Sequence, residues 1–414
     1  MVSPLNRYNT RVEIKIEFIT NSKSIRTIFV IQFIKRKVLT LCGIFWSLVF
    51  PLMNLVHFAY NLLKKNSNTF NLFIVQDSFN SEELKRNNLN GATKVNEGLL
   101  EVFLKNKFEF HTIGIDKHFF RSIQKLFGNR STRVKFFNCE KIILSVPGPT
   151  GYLGAYLSLI CRKNVYFVAH NPEFLHRMEW SRNLNKIFPK VRYMARAING
   201  LFADFLVCNF AFRLYFLGET ELKVYWNKLL LLRNKSKLKY LPYIPPSRVI
   251  RKRSKNSNLI AAVGTYAKHI GESKASCEFN RSLTQIRNEI RSKSKKLACV
   301  GYGYDEKFCD VNFGFLTDEK FMDATHNFYG IIVSQNWGWG FKTKIADALF
   351  ADQRVFLSTT LAGRYPSLLD ALDPIEEWSK FVIQHISNRD SIKRQKCLDA
   401  MRIQRSMIIG ELIS

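Results

Sequence analysis

Residues 334–350 combine a glycine loop with charged side chains. The loop contains Gly338 and Gly340, and it follows an apolar run that ends at Ser334. A glycine loop that opens a helix leaves backbone N–H groups free at the positive end of the helix dipole, which suits a phosphate group. The residues after the loop have the spacing of one apolar helix face: Ile345, Ala348 and Leu349. The segment therefore predicts an anion site between a strand and a helix.

Three charged residues follow the loop: Lys342, Lys344 and Asp347. Lys344 and Asp347 are three positions apart, so they are neighbours on a helix surface. Asp347 suits the vicinal hydroxyls of a ribose, as acidic residues do in nucleotide-binding α/β folds. The alternative is a tight strand–helix turn with a surface lysine–aspartate pair. A glycine loop alone favours that alternative.

A second polar group lies at His170, which ends the apolar run from Val165. At the carboxyl end of a strand, His170 would face a cleft and hydrogen-bond a sugar or an acceptor hydroxyl. Asn171, Glu173 and Arg177 follow closely and favour this function. The alternative is a histidine whose hydrogen bonds are satisfied within the core or a loop.

Beyond Asn66, short apolar runs alternate with amphipathic stretches of helix length, which predicts βαβ units around parallel sheets. The first half contains five strand candidates: Asn71–Asp77, Glu109–Ile115, Lys141–Pro147, Asn164–His170 and Phe205–Asn209. The second half contains five more: Asn258–Val263, Leu297–Gly301, Phe313–Leu316, Tyr329–Ser334 and Arg354–Ser358. The fold class is therefore α/β.

The domain limits come from composition. Residues 222–271 contain no acidic side chain, and within them a proline-rich stretch precedes a basic run. We predict a first Rossmann-like domain at 67–245, a basic linker at 246–257 and a second Rossmann-like domain at 258–387. A C-terminal helix at 388–414 can cross back to the first domain. Two such domains leave a cleft between them.

The first 66 residues form a basic extension around an apolar segment. Residues 38–63 contain no charged side chain, and as a helix they would measure roughly 39 Å. Lysines and arginines flank both ends, and Pro51 lies near the middle. We interpret 38–63 as a membrane-associated helix on the cytoplasmic face, either spanning or re-entrant. A buried core helix is the alternative.

The net charge of +30 predicts attraction to polyanions, namely nucleic acid, anionic lipid or phosphorylated substrates. No nucleic-acid-binding motif is apparent, and the basic residues flank the apolar segment and fill residues 222–271. The eight cysteines form no C-x-x-C pair, which predicts reduced, mostly buried thiols. The scattered histidines and the lack of a D-x-D pair predict no metal site.

The motifs, taken together and in order, resemble those of GT-B glycosyltransferases, in particular the large retaining group 1 family that uses nucleotide-sugar donors. In that family a G-x-G loop leads a helix bearing K-x-x-E-A-L. Gly338, Gly340, Lys344 and Asp347 match this pattern here, with Phe341 and Lys342 between them. The family's upstream glutamate falls at Trp339. The segment from His170 to Glu173 is similar to the family's H-N-x-E loop.

The resemblance also extends to weaker segments. Ala203–Cys208 resembles a conserved strand of the first domain. Gly264 ends a strand where the family has a glycine followed by a basic residue. Lys268 or Lys274 would supply the cation for the diphosphate, and Lys268 is preferred because it lies nearer to Gly264. Asn90-Gly91-Ala92 corresponds to the family's glycine-containing acceptor loop.

The resemblance implies a metal-independent hexosyltransferase with a GT-B fold and no cofactor beyond the nucleotide-sugar donor. His170 and Glu173 would act at the reacting sugar, and Gly264, Lys268, Gly338, Gly340, Phe341, Lys342, Lys344 and Asp347 would bind the donor. A glycan or lipid-linked acceptor at an anionic membrane surface, in polysaccharide or glycoconjugate synthesis, is the expected partner. The alternatives are a non-catalytic or epimerase-type GT-B relative and a basic nucleic-acid-binding protein.

Overall fold

The computed structural model describes the chain from residue 70 onward, with gaps. The described residues are 70–77, 91–115, 119–145, 151–159, 161, 163–184, 187–230, 235–247, 250, 252–254, 256–263, 274–301, 309–314, 316, 318–334, 339–384 and 388–413. They lie in one compact unit, Asn68–Ser414. The predicted membrane segment 38–63 lies outside the described residues. Within the described ranges, no helix has both the length and the apolar character needed to cross a bilayer.

The first sheet has six strands in the order β2-β1-β3-β4-β5-β6, and every neighbouring pair is parallel. The strands are β1 (Phe70–Asp77), β2 (Phe110–Ile115), β3 (Cys139–Ser145), β4 (Asn164–Ala169), β5 (Arg213–Phe216) and β6 (Leu238–Tyr240). Both faces are covered, because β3 and β4 are buried runs of apolar residues rather than alternating ones. The order reverses between β1 and β3, which marks the point where such sheets bind ligands.

The second sheet also has six parallel strands, in the order β12-β11-β10-β7-β8-β9. The strands are β7 (Leu259–Val263), β8 (Lys296–Val300), β9 (Val311–Gly314), β10 (Phe328–Val333), β11 (Arg354–Ser358) and β12 (Asp373–Ile375). Counted within this sheet the order is 3-2-1-4-5-6, that of dinucleotide-binding domains. The reversal lies between β7 and β10. The prediction of two Rossmann-like α/β domains is confirmed.

Helices connect the strands of both sheets. In the first half they are α1 (Gly91–Lys105), α2 (Phe119–Gly128), α3 (Arg130–Asn138), α4 (Gly151–Leu159), α5 (Glu173–Asn183), α6 (Ile187–Phe210), α7 (Glu219–Glu221) and α8 (Asn227–Leu229), with a π-helical turn at Leu222–Trp226. In the second half they are α9 (Lys274–Ser292), α10 (Asp318–Thr325), α11 (Thr343–Phe350), α12 (Thr359–Ala362) and α13 (Asn388–Ile413). Short 3₁₀ turns lie at Lys235–Lys237, Pro366–Ala371 and Trp378–Lys380.

The C-terminal helix α13 contacts the first sheet. The carbonyl of Leu412 accepts a hydrogen bond from Lys141, and Glu411 pairs with Arg213 and Lys239. Arg405, which is buried, donates to the carbonyl of Pro242 at 2.8 Å. The chain between β6 and β7 forms no regular element among its described residues. The helix therefore links the two halves of the molecule a second time.

The strand predicted at Phe205–Asn209 is wrong, because these residues lie in the last turns of α6, a helix of 24 residues. The buried positions of α6 recur every three or four residues: Ala197, Gly200, Ala203, Asp204, Val207 and Cys208. A short apolar run does not distinguish a strand from a buried helix, and here the longer helical period prevails. The actual strand, β5, begins at Arg213.

The prediction of reduced cysteines is wrong for one pair. Cys299 on β8 and Cys309 before β9 form a disulfide, with Cα atoms 6.0 Å apart. The two lie ten positions apart, with no motif between them, and neighbouring strands bring them together. Four other cysteines among the described residues are free: Cys139, Cys161, Cys208 and Cys397.

Candidate active site between the two sheets

The site lies where the carboxyl ends of the two sheets meet. Lys344, in the first turn of α11, donates from Nζ to the carbonyl of Val263 at 3.1 Å. Val263 is the last residue of β7, and α11 follows β10, so this bond spans the reversal point of the second sheet. Three of the predicted donor-binding residues, Gly264, Lys268 and Gly338, lie outside the described residues.

Gly340 contacts the loop after β4 and requires glycine for two reasons. Its φ of +92° lies in the left-handed region. A Cβ atom there would lie 1.6 Å from Oδ1 of Asn171 and 3.1 Å from the carbonyl oxygen of His170. Oriented with its amide nitrogen toward Trp339, Asn171 donates to the carbonyl of that residue at 3.3 Å. The two segments that sequence analysis selected, on opposite halves of the chain, are therefore in direct contact.

Lys342 and Lys344 are partly buried cations at the start of α11. Burial lowers the pKa of both to about 8, with Arg364 adding to the effect at Lys342 and Lys342 adding to it at Lys344. Among the described residues neither lysine forms an ion pair. Lys342 occupies the N-cap position and provides no side-chain cap for the first turn. The carboxylates of Glu179 and Glu221 act on Lys342, and no described carboxylate acts on Lys344. A desolvated charge held without an ion pair costs stability, so this helix start is suited to an anion.

Asp347 lies one turn further along α11, and both of its oxygens have protein partners. Lys94 of α1 donates to Oδ2 at 2.7 Å, and the Tyr243 hydroxyl donates to Oδ1 at 2.9 Å. Lys94 and Asp347 are both nearly buried, so the ion pair is shielded from water. A carboxylate has about four acceptor positions, so two remain for ribose hydroxyls. Phe341 is buried between the rings of Tyr243 and Tyr365 and supports this corner of the site.

His170 follows β4, at the carboxyl edge of the first sheet and next to β3, one of the two strands at its reversal point. Its Nε2 is 3.1 Å from the hydroxyl of Ser145, the last residue of β3, and that hydroxyl donates to Asn96 of α1 at 2.5 Å. Burial lowers the pKa of His170 to about 4, so the imidazole is neutral at physiological pH. A neutral imidazole suits a hydrogen bond to a sugar hydroxyl.

Glu173 takes a different position. It is buried in the first turn of α5 and pairs with Arg177 at 3.1 Å. Its Cβ lies 3.0 Å from the position that a Cβ on Gly200 would take, so its side chain packs against α6. Glu173 follows His170 by three residues in the chain, but its carboxylate is ion-paired with Arg177.

Four further side chains surround the loop that carries Trp339 and Gly340. The carbonyl of Trp339 is 3.2 Å from Nδ1 of His176, and the guanidinium of Arg364 covers the Trp339 ring at 4.6 Å. Glu179 accepts from Arg364 at 3.0 Å, and Glu221 accepts the N–H of Gly340 at 2.9 Å. Burial raises the pKa of Glu221, whose second oxygen has no hydrogen-bond partner among the residues that the structure describes.

Sequence reasoning missed these residues, together with Lys94 and Tyr243. Lys94 had one signal, since it follows the Asn90-Gly91-Ala92 segment that the family resemblance selected. The others lie on α5, on α7, after β6 and after α12. Only the meeting of the two halves brings them to the loop.

Acid is expected to destabilise the fold through His170 and His176. Burial lowers their pKa values to about 4 and about 3, while the unfolded chain titrates near 6.5. The unfolded state therefore takes up protons first, so stability is full above pH 6.5 and falls as the pH drops toward 4. Each histidine accounts for about 2 kcal/mol between pH 7 and pH 5. The urea midpoint at the two pH values measures this loss.

His176→Gln should remove roughly half of that loss, because glutamine does not titrate. His326→Gln serves as the matched control, since His326 is exposed and lies away from the loop. An unchanged pH dependence in His176→Gln would contradict the buried, neutral state of His176.

A cavity of about 580 Å³ lies elsewhere, at the amino ends of β4 and β5. Its basic side chains already form hydrogen bonds or ion pairs with other groups of the protein. Lys163 donates to Phe137 and Cys139 carbonyls, Lys237 donates to the Asn209 carbonyl, and Arg213 pairs with Glu411. Parallel sheets bind ligands at the opposite ends of their strands. The site between the sheets is therefore the stronger candidate.

No protein-family profile matches the sequence, and neither does any curated protein. Solved structures do match. A sucrose-phosphate synthase from Thermosynechococcus elongatus has a TM-score of 0.52 and 10% identity, with 83% of this chain and 99% of that chain covered. The Anabaena protein HepE, solved with UDP and glucose, has a TM-score of 0.49 and 10% identity, with 84% and 100% covered.

The likeness to the synthase establishes the fold and nothing finer, because the identity is only 10%. Two parallel Rossmann-like sheets that meet at their carboxyl ends, over nearly the whole length of that chain, are the GT-B architecture. The GT-B fold implied by the sequence motifs is thus confirmed.

Proposed function

We propose that this chain is a glycosyltransferase that moves a hexose from a nucleotide-diphosphate donor to an acceptor hydroxyl. The observation that carries the proposal is the pair of partly buried lysines, Lys342 and Lys344, at the start of α11. Neither forms an ion pair with a carboxylate among the described residues, and they lie at the reversal point of the second sheet. The fold that this chain shares with a sucrose-phosphate synthase supports the proposal of hexose transfer.

In this mechanism the donor diphosphate lies against the first turn of α11. The Lys344 ammonium and the free N–H groups of that turn stabilise the negative charge that develops on the leaving diphosphate. The two lysines supply cationic charge that a metal ion provides in other transferases, and we propose that the reaction proceeds without a metal or a cofactor. Gly264, Lys268 and Gly338 would complete the phosphate site.

Asp347 and His170 would position the two ends of the donor. Asp347 binds the ribose hydroxyls, with Lys94 and Tyr243 fixing the direction of its carboxylate. His170, held by Ser145, hydrogen-bonds the transferred sugar. Glu173 serves the reaction by orienting the loop after β4, since its own carboxylate pairs with Arg177.

The acceptor we propose is a glycan or a lipid-linked sugar at the cytoplasmic face of a membrane, in polysaccharide or glycoconjugate synthesis. The support is the sequence, in which residues 38–63 form an apolar segment between basic flanks. A GT-B relative that binds sugar nucleotides without transferring them is the second candidate, because Trp339 occupies the position of the family's upstream glutamate.

A thermal-shift screen of the full chain against nucleoside diphosphates and nucleotide sugars, with EDTA present, tests the proposal. The nucleoside diphosphate with one particular base should raise the melting temperature of the chain. At a ligand concentration 100 times Kd, it should stabilise the folded chain by about 2.7 kcal/mol. The matching sugar nucleotide should then be hydrolysed slowly or transferred to an added acceptor. Binding without turnover of any sugar nucleotide would favour the second candidate. No response to any nucleoside diphosphate would refute both.

A further inference from the structure

The helix α6 has two apolar sides, and one of them faces away from the protein. Its buried residues pack on the first domain, as described above. Roughly opposite, at about 100° per residue, a second set of apolar side chains is between 42% and 79% exposed. The set consists of Ile187, Phe188, Val191, Met194, Ile198 and Phe202. We call these six residues the α6 stripe. Over roughly 22 Å, a soluble surface would not keep so many large apolar groups without a partner.

The stripe lies on a helical hairpin beside the candidate active site. Phe174, near the start of α5, donates its N–H to Asp204 in the second half of α6, and Trp180 stacks on Tyr193 near the start of α6. The two helices are therefore antiparallel, and α5 begins three residues after His170. Contacts of His176 and Glu179 with the second half of the chain fix the hairpin at the cleft.

The exposed charged residues of α6 have one sign. Lys190, Arg192 and Arg196 are exposed on α6, whereas its one carboxylate, Asp204, is buried and accepts from Phe174 and Tyr225. A helix with apolar side chains on one face and cations beside them is suited to lie in the headgroup region of an anionic bilayer. The net charge of +30 also favours binding to an anionic bilayer.

We infer that the α6 stripe docks on an anionic lipid surface, separately from any contact made by residues 38–63. Electrostatic repulsion disfavours two other partners for the α6 stripe. A second copy of this chain would bring Lys190, Arg192 and Arg196 against the same cations. The apolar segment 38–63 is itself flanked by Lys35, Arg36, Lys37, Lys64 and Lys65, which these cations would repel. The inference does not rest on the proposed glycosyl transfer.

Photo-crosslinking of the full chain distinguishes the occupants. Benzoylphenylalanine is placed at position 202 instead of Phe202, and the protein is irradiated with phosphatidylglycerol vesicles. The expected result is lipid adducts on α6, with at least a fivefold lower yield on phosphatidylcholine vesicles. The same group at position 407, instead of the exposed Met407 of α13, should give few adducts. Crosslinks to residues 38–63, crosslinks to a second copy, or no lipid adduct at 202 would each overturn the inference.

Charge substitutions give a matched comparison in the same assay. Val191→Glu with Ile198→Glu should lower the lipid-adduct yield at 202 at least tenfold. Ile403→Glu with Met407→Glu adds the same charge at equally exposed positions of α13 and should leave the yield within twofold. Both pairs are exposed, so folding is preserved in each, and circular dichroism checks this. Equal effects of the two pairs would attribute binding to net charge alone and overturn the docking role of the stripe.

Discussion

Lys344→Met is expected to weaken binding of the donor diphosphate about 100-fold while the chain stays as stable as before. The loss in binding corresponds to about 2.7 kcal/mol, the scale of one buried charge-assisted contact to an anion. Stability is preserved because the partly buried ammonium has, among the described residues, one hydrogen-bond partner, the carbonyl of Val263. Methionine has a similar length and removes a desolvated charge, which offsets the lost hydrogen bond. Calorimetric titration with the responsive nucleoside diphosphate and urea unfolding measure the two quantities.

Lys380→Met is the matched control, because Lys380 is exposed and pairs with Glu377 on its own turn. It should change neither quantity. The pH dependence gives a second check, since the pKa of Lys344 is about 8 and only its cationic form attracts the diphosphate. Affinity should therefore fall as the pH rises above 8 in the wild-type chain, with a weaker dependence in Lys344→Met. A folded variant that binds as tightly as the wild type would remove Lys344 from the site.

The sequence predicts the architecture well because parallel strands between covering helices are continuous apolar runs. β1, β4 and β11 lie within one residue of their predicted limits for that reason. The same rule fails at Phe205–Asn209, where a helix buried on one side and apolar on the other contains an equally apolar run. Local composition cannot separate these cases, and the period over the whole of α6 can.

The candidate site is predictable only in its motif-bearing half. The glycine loop, Lys344 and Asp347 belong to one segment whose spacing indicates their chemistry. The partners of Asp347 lie 253 and 104 positions away, at Lys94 and Tyr243, so no local pattern contains them. The same applies to Glu221, which reaches Gly340 from 119 positions away. Such contacts follow from the way the two halves meet.

These distant contacts also determine what the site requires of a ligand. Asp347 connects α11 to α1 through Lys94, and Lys94 is two positions from Asn96, which accepts from Ser145 beside His170. A ribose at Asp347 and a sugar at His170 would thus each contact a group that is hydrogen-bonded to α1, the first through Lys94 and the second through Ser145 and Asn96. The predicted donor-binding and catalytic residues are connected physically, although they lie on different sheets.

Gly340→Ala is expected to destabilise the chain by about 2–4 kcal/mol and to abolish donor turnover. Alanine at a φ of +92° is strained, and its Cβ would overlap the Asn171 side chain at 1.6 Å. Relief requires the glycine loop to move away from His170 and Asn171, which separates the phosphate site from the sugar site. Gly410→Ala is the control, because Gly410 lies within α13 with open space at its Cβ position. That change should leave stability equal or up to about 1 kcal/mol higher.

A second substitution separates the two causes. Asn171→Ala added to Gly340→Ala removes the steric overlap but keeps the strained φ, so it should recover about half of the lost stability. Urea midpoints of the two single variants and the double variant give the coupling energy between positions 171 and 340. Full additivity of the two changes would show that the loops do not touch in solution. The contact between the halves, and with it the assembled site, would then be absent from the unliganded protein.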